Sequence, residues 1–408
     1  MSTEFLIFLI FVGSAQKLSV TFVHDSQLTL QYLPQSAFLH CRFEQHADFV
    51  YNMNVTFCNL KVSGSCKNMA KRRSDLSVMR ITATLAVILL HTCSTISQNP
   101  DIFKINKGQY LLFTTIVCLM NWAVPLFFMI TGTLMLNPKK KLSVRDAVFK
   151  YAKRIFLALM IFGIPMAWVV VLITHRQISL KLILLGILDT IEGKSFSHLW
   201  YLYAIIGLYL IIPMLKPYVN STSINTKRYI LIVLFAFNFC FTLIDRLFNI
   251  HIAFELPIAG NSVFYLLTGE YLNEISADGD IDRKLNAFLI AVVVGTIIAI
   301  NIIAYPKAPL FLGYDSPFIA ALSILIYRQL FGVKCGLRHL WGIDRLTFGV
   351  YLIHPIFIHL AYNFLGITPM DFKPLLLSIL VIWAVVVTLS FVSSYILKHI
   401  KWLRDNIL

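Results

Sequence analysis

Two ionisable residues, Arg80 and His91, lie inside an otherwise apolar stretch over residues 76–96. Ten residues separate them, so on an α-helix they share nearly the same face, about 16 Å apart along the axis. Ionisable groups within a membrane span are costly and usually functional. The residues alone also allow a structural interpretation, in which Arg80 extends its charge to the membrane surface and His91 bonds to a neighbouring helix.

A second group of candidates lies in a basic segment, which holds seven lysines and arginines between residues 139 and 154. Tyr151 and Arg154 are three positions apart and therefore share a helix face at the expected membrane boundary. The guanidinium could bind a phosphate while the ring stacks on an attached base. A solvated loop would also explain most of these charges.

Two further histidines have apolar, aromatic neighbours. His198 begins the run His-Leu-Trp-Tyr-Leu, in which Trp200 and Tyr201 are typical of an interfacial aromatic belt. His354 lies within an apolar stretch and is followed by a proline. The histidines do not have metal-ligand spacing, and the sequence contains no phosphate-binding loop, serine-hydrolase elbow or CxxC pair. Metal, ATPase and redox functions therefore lack support.

The composition indicates which elements must position these residues. Of 408 residues, 58% are hydrophobic and only 13% are charged, about half the charge of ordinary soluble domains. Ten stretches are about long enough to cross a bilayer. They predict an all-α, polytopic integral membrane bundle of about ten transmembrane helices, over residues 76–96, 111–136, 155–173, 198–215, 229–248, 256–272, 285–305, 310–330, 346–365 and 375–397.

Lysine and arginine in the connecting loops predict the orientation of the bundle. One set of alternate loops holds 22 of these residues and the other set holds 7. We therefore expect both ends of the bundle to be cytoplasmic. This asymmetry also accounts for the net charge of +15, so a nucleic-acid partner is not needed to explain it.

Residues 1–68 differ from the rest of the chain. One interpretation is a cleaved signal followed by a small exported segment with three cysteines and one glycosylation sequon. The other is an over-extended start, since Met69 and the basic residues after it look like a cytoplasmic N-terminus. The exported interpretation inverts the bundle against the charge asymmetry, so we favour the second. The expected division is an atypical segment over 1–68 and a membrane domain over 69–408.

Five short motifs, in order along the chain, resemble the acyltransferase-3 family of polytopic membrane acyltransferases. The resemblance covers residues 69–408 and is closest to the stand-alone bacterial members, such as the O-acetyltransferase of enterobacterial common antigen. It rests on the Arg80 and His91 pair, the run over residues 124–134, the His-Leu-Trp-Tyr-Leu run over 198–202, the region of Gly269, and residues 349–355.

The resemblance implies a multi-pass protein of the bacterial plasma membrane that moves an acyl group, most often acetyl from cytoplasmic acetyl-CoA, to a hydroxyl of a cell-envelope polysaccharide or glycolipid. It implies that His91 and Arg80 are catalytic, and that Arg80, Arg154 and Tyr151 bind the donor. The family often has an Arg-x-x-Arg pair at the third span, where this chain has Tyr151 and Arg154. His91 could be a general base or a transient acyl carrier. No metal is implied.

A proton-coupled secondary transporter is the alternative, because buried histidine and arginine also suit ion-coupled exchange. Transporters of that kind often carry matching Gly- or Pro-interrupted segments in their two halves. The sequence shows no such pair, which favours the acyltransferase.

Overall fold

The structure is a computed structural model that describes residues 73–175, 180–194, 197–250, 252, 260–277, 281–334 and 340–408. Within these ranges every regular element is helical. Residues Ser74–Leu408 belong to one compact unit. Residues 1–68 lie outside the described ranges, so the expected boundary at residue 69 stays a prediction.

The principal helices are α1 (Ser74–Ser97), α2 (Lys107–Met120), α3 (Ala123–Met135), α4 (Lys153–His175), α5 (Leu180–Ile191), α6 (Trp200–Ser221), α7 (Ile224–Phe235), α8 (Thr242–Phe248), α9 (Asn261–Ala277), α10 (Arg283–Ile303), α11 (Pro317–Leu330), α12 (Leu340–Asp344), α13 (Thr347–His359), α14 (Leu375–Leu397) and α15 (Lys401–Asn406). Three π-helical segments adjoin them, at Ala147–Ala152, Ala236–Phe241 and Leu360–Phe364.

Six of the described helices are long and apolar enough to cross a membrane: α1, the continuous α2 and α3, α6, the continuous α7 and α8, α10 and α14. Four more of the ten predicted spans also contain helices, namely α4, α9, α11 and α13. Of these, α11 has only 14 residues and α13 only 13. The all-helical, multi-pass class is confirmed, whereas the count of ten spans and the orientation stay predictions.

The distribution of side chains on α14 is that of a helix facing lipid. Its buried face includes Ser378, Ser390 and Ser394, whereas large apolar side chains such as Leu376 and Leu389 are exposed. In water this arrangement would be unfavourable. In a bilayer small polar residues suit helix contacts and apolar residues suit the lipid, so α14 lies at the edge of a membrane bundle.

Helix α1 lies at the centre of the packing and contacts α2, α3, α13 and α14. It is rich in small and hydroxyl side chains, and the hydroxyls of Thr84, Thr92 and Thr95 donate to carbonyls four residues earlier on the same helix. This bonding lets polar residues lie inside a membrane bundle at little cost. The central position of α1 brings Arg80 and His91 against several other helices.

Candidate active site

Three histidines from distant parts of the sequence meet inside the bundle. His91 is in α1, His198 is in the short 3-10 turn Ser197–Leu199 before α6, and His354 is in α13. The ring centroid of His91 lies 5.3 Å from that of His354 and 6.0 Å from that of His198, and the latter two are 5.5 Å apart. We call these residues the histidine cluster.

The members of the histidine cluster differ in accessibility. His198 and His354 are buried, with 3% and 0% of their surface exposed, whereas His91 is only partly buried. The His91 imidazole forms no hydrogen bond with any side chain or backbone group among the described residues. His91 is therefore the member that a substrate could reach, and its ring nitrogens are available for chemistry.

The surroundings of His354 define its tautomer. Its Nδ1 lies 2.7 Å from the carbonyl oxygen of Tyr351 and 3.2 Å from that of Val350. Carbonyl oxygens only accept hydrogen bonds, so Nδ1 carries the proton and Nε2 has a lone pair. Nε2 is buried without a hydrogen-bond partner in the described part of the chain. The Tyr351 hydroxyl in turn donates to the backbone carbonyl of His198, which ties α13 to the start of α6.

Arg80 is held by a residue that the sequence did not single out. Its Nη1 lies 2.6 Å from both carboxylate oxygens of Asp344, whose side chain is 3% exposed. The hydroxyl of Ser77 donates to the same carboxylate. Both contacts of Arg80 use Nη1, so Nε and Nη2 have no protein partner among the described residues. Asp344 thus offsets the charge of Arg80 and leaves one edge of the guanidinium available.

The basic segment before α4 surrounds an aromatic pair. The Tyr151 and Tyr209 rings are 5.5 Å apart, and the ammonium of Lys140 lies 4.7 Å from the Tyr151 ring centroid, a cation–π contact. Tyr209 is also within electrostatic range of both Arg80 and Arg154. Of the three residues predicted to bind the donor, Tyr151 thus contacts Tyr209, and Arg80 and Arg154 contribute positive potential there.

Arg154 itself is partly engaged within the chain. Its guanidinium donates to the backbone carbonyls of Ile407, at 2.7 Å, and Leu408. These contacts hold the chain after α15 against the start of α4. Arg154 thus contributes positive potential near Tyr209 while two of its donors are occupied.

A family profile described as an acyltransferase domain, that of the acyltransferase-3 family, matches residues 73–399. The chain belongs to the acyltransferase-3 family. It is thus a multi-pass membrane acyltransferase. Neither a curated protein nor a solved structure matches the chain.

The sequence singled out His91 and Arg80 as candidate site residues but not the residues that surround them. His198 and His354 were noticeable as histidines in apolar runs, but nothing in the sequence placed them beside His91. Asp344 and Tyr209 gave no signal beyond their residue types. In the described part of the chain no group of three or more His, Cys, Asp or Glu side chains could hold a metal ion.

Proposed function

We propose that this member of the acyltransferase-3 family moves an acetyl group from cytoplasmic acetyl-CoA to a hydroxyl of a cell-envelope polysaccharide or glycolipid. The observation that carries the proposal is the histidine cluster, in which His91 is accessible and lies about three helical turns from Arg80 on the same face of α1. This spacing suits a donor whose charged end is held near Arg80 while its thioester reaches His91.

Positive charge around Tyr209 supports a coenzyme A donor. Coenzyme A carries phosphate groups, an adenine base and a slender pantetheine arm. Arg80 and Arg154 would bind phosphate through charge-assisted hydrogen bonds, and Lys140 adds charge beside Tyr151. Tyr151 offers an aromatic face for the adenine. The free Nε and Nη2 edge of Arg80 is the part that would contact the donor.

The direct route uses His91 as a general base. The acceptor oxygen attacks the thioester carbonyl carbon while His91 takes the hydroxyl proton. The new C–O bond forms, the C–S bond breaks, and the imidazolium passes its proton to the coenzyme A thiolate. The products are the acetyl ester and free coenzyme A.

The two-step route uses His91 as a nucleophile. Its unprotonated ring nitrogen attacks the thioester, the thiolate leaves with the ring proton, and an acetyl-imidazole remains. The acceptor hydroxyl then takes the acetyl group and returns its proton to the ring. Both routes require a neutral His91.

Turnover by the purified protein in lipid nanodiscs tests the proposal. Release of coenzyme A thiol from acetyl-CoA should require a cell-envelope glycan fraction. The His91→Ala protein should still bind acetyl-CoA but should lose about a hundredfold or more in transfer, because acid–base catalysis commonly contributes that much. His399→Ala, which changes an exposed histidine after α14, is the matched control and should behave as wild type.

Two results would contradict the proposal. Wild-type turnover in His91→Ala would remove His91 from the chemistry. Substrate flux across proteoliposomes without acetyl-CoA, together with no thiol release under any condition, would favour the proton-coupled transporter instead.

A further inference from the structure

A mixed aromatic and polar cavity of about 470 Å³ is lined in part by Trp200, two residues after His198. Its volume is within the range of about 300–1,000 Å³ that is typical of small-molecule sites. Its walls come from α3, the start of α6, the end of α8, the start of α9 and the segment before α11. Trp200 borders the cavity in the first turn of α6. Lys216 lies near the opposite end of that helix and donates to the carbonyl of Met135 at the end of α3. The cavity is thus at the end of α6 away from this lysine.

Aromatic rings form the apolar part of the cavity wall. Trp200 lies 4.9 Å from Tyr314 and 6.3 Å from Phe128 between ring centroids. Tyr265 donates its hydroxyl to the backbone carbonyl of Tyr314, at 2.8 Å, which holds the two elements together. Of the rings, Trp200 is the most accessible, with 38% of its surface exposed. It therefore offers a flat apolar face to a bound molecule.

The polar part of the cavity carries hydrogen-bonding groups of balanced charge. Arg246 binds both carboxylate oxygens of Asp315, at 3.0 and 2.5 Å. Asn261 and Ser262 at the start of α9 add an amide and a hydroxyl. Since Asp315 neutralises Arg246, a phosphate would find little net positive charge here. An acyl chain would supply no hydrogen bond to the Asn261 amide or the Ser262 hydroxyl, which is costly.

A sugar ring matches both the aromatic part and the polar part of this lining. One face of a pyranose presents C–H groups that pack against an aromatic ring, and its edge presents hydroxyls that both donate and accept hydrogen bonds. Carboxylate, guanidinium, amide and hydroxyl groups together supply acceptors and donors for such an edge. The chemistry of the cavity therefore favours a neutral carbohydrate over an anion or a lipid tail.

The cavity also lies within reach of the histidine cluster. Trp200 follows His198 by two residues, roughly 3–4 Å along a helix axis. A second connection runs through rings, because Tyr201 lies 5.0 Å from Phe128 and 5.6 Å from Tyr351, which is 5.9 Å from His198. Packed side chains thus connect the cavity wall to the histidine cluster.

We infer that this cavity binds one sugar unit of the acceptor glycan, stacked on Trp200 and hydrogen-bonded by the Arg246 and Asp315 pair. The inference rests on the proposed acyl transfer for its role as the acceptor site. It places donor and acceptor on opposite sides of the histidine cluster.

Saturation-transfer-difference NMR on the full chain in nanodiscs tests the inference. The probes are the methyl glycosides of glucose, galactose and N-acetylglucosamine, with sorbitol as a polyol that has no ring and glycerol phosphate as an anion. At least one glycoside should bind, with the strongest saturation on ring C–H protons, and the two comparison compounds should not. Trp200→Ala should weaken glycoside binding about tenfold, and Asp315→Asn should weaken it less.

Trp402→Ala is the matched control, because Trp402 is also an exposed tryptophan, in α15, remote in sequence from the cavity lining. It should keep wild-type binding. Acetyl-CoA binding, measured on the same preparations, should be unchanged in Trp200→Ala, which also shows that this variant folds. Glycoside binding that survives Trp200→Ala, or glycerol phosphate binding in place of the glycosides, would overturn the inference.

The two proposals can fail separately. A wild-type protein that binds acetyl-CoA and releases thiol with an envelope fraction, yet binds none of the glycosides, would refute the sugar site alone. A protein that binds glycosides in a Trp200-dependent manner but does not bind acetyl-CoA would support the sugar site and contradict the proposed acyl transfer.

Discussion

At the scale of single residues, the candidate active site combines one accessible imidazole with two buried ones. His354 has its proton on Nδ1 and a lone pair on Nε2, because two backbone carbonyls accept from Nδ1. A lone pair beside His91 can accept a hydrogen bond from the His91 ring or stabilise its protonated form. This arrangement predicts that His354 is a positioning residue, which acts on the reaction through His91.

Substitution of His354 tests this role. His354→Leu should lower transfer about tenfold, the value of one hydrogen bond, while acetyl-CoA binding is kept. His354→Gln should recover part of the lost turnover, because its amide oxygen can accept a hydrogen bond at a similar distance from the backbone. Turnover at saturating acetyl-CoA is the measurement. Equal activity of the two variants would show that His354 only fills space.

The ion pair between Arg80 and Asp344 predicts coupled substitutions. Arg80→Ala leaves the buried carboxylate of Asp344 without its cation, so the free energy of unfolding should fall by about 1–3 kcal/mol. Arg80→Ala combined with Asp344→Ala should be more stable than Arg80→Ala alone. Thermal unfolding in one detergent gives the comparison.

A comparison of Asp344→Ala with the double variant separates donor binding from folding, because both proteins lack the Asp344 carboxylate. Asp344→Ala should keep most acetyl-CoA affinity, whereas the double variant should bind about tenfold or more weakly, since a charge-assisted phosphate contact is lost. Equal affinity of these two proteins would show that Arg80 acts only as the partner of Asp344.

At the scale of elements, the tightest helix contact is the crossing of α3 and α9. A Cβ added at Gly132 would lie 1.8 Å from the carbonyl oxygen of Leu266, and one added at Gly269 would lie 1.9 Å from that of Met129. Close by, the Thr133 hydroxyl donates to the Gly269 carbonyl at 2.9 Å. The same hydroxyl lies 2.7 Å from the hydroxyl of Tyr327. Small residues at such crossings let helix backbones approach closely in membranes.

Gly269→Ala should therefore destabilise the protein by about 1–3 kcal/mol or more, because the two backbones must separate. Gly295→Ala in α10 is the matched control, since nothing lies within 4 Å of its added Cβ. It should be neutral or slightly stabilising, as alanine favours helix. Thermal unfolding of the two variants in one detergent decides the matter; equal melting temperatures would contradict the close crossing.

At the scale of the whole molecule, the loop charges predict the orientation on which the donor site depends. Lys141→Cys should be protected in intact cells, whereas Lys194→Cys should react with an impermeant thiol reagent. Both positions are exposed, so accessibility to solvent does not distinguish them. The background lacks the seven native cysteines. Labelling of Lys141→Cys in sealed cells would reverse the orientation and contradict a cytoplasmic donor site.

The sequence by itself determined the helical membrane class, the family resemblance that the family profile confirmed, and the candidacy of Arg80 and His91. These features can be predicted from the sequence because each depends on a short segment of it: the length of an apolar stretch, the charge of a loop, or an ionisable residue inside an apolar stretch. The number of spans was harder to predict, since α11 has only 14 residues, and α13 becomes longer only through the π-helical segment Leu360–Phe364 that continues it.

Only the tertiary structure decided which residues meet. Arg80 pairs with Asp344, which is 264 positions away in the sequence. His91 contacts His198 and His354, which come from two other helical segments. The cavity beside Trp200 likewise takes its walls from five separate segments. Such contacts depend on how helices pack against one another, and packing between distant helices leaves no periodic pattern in a single sequence.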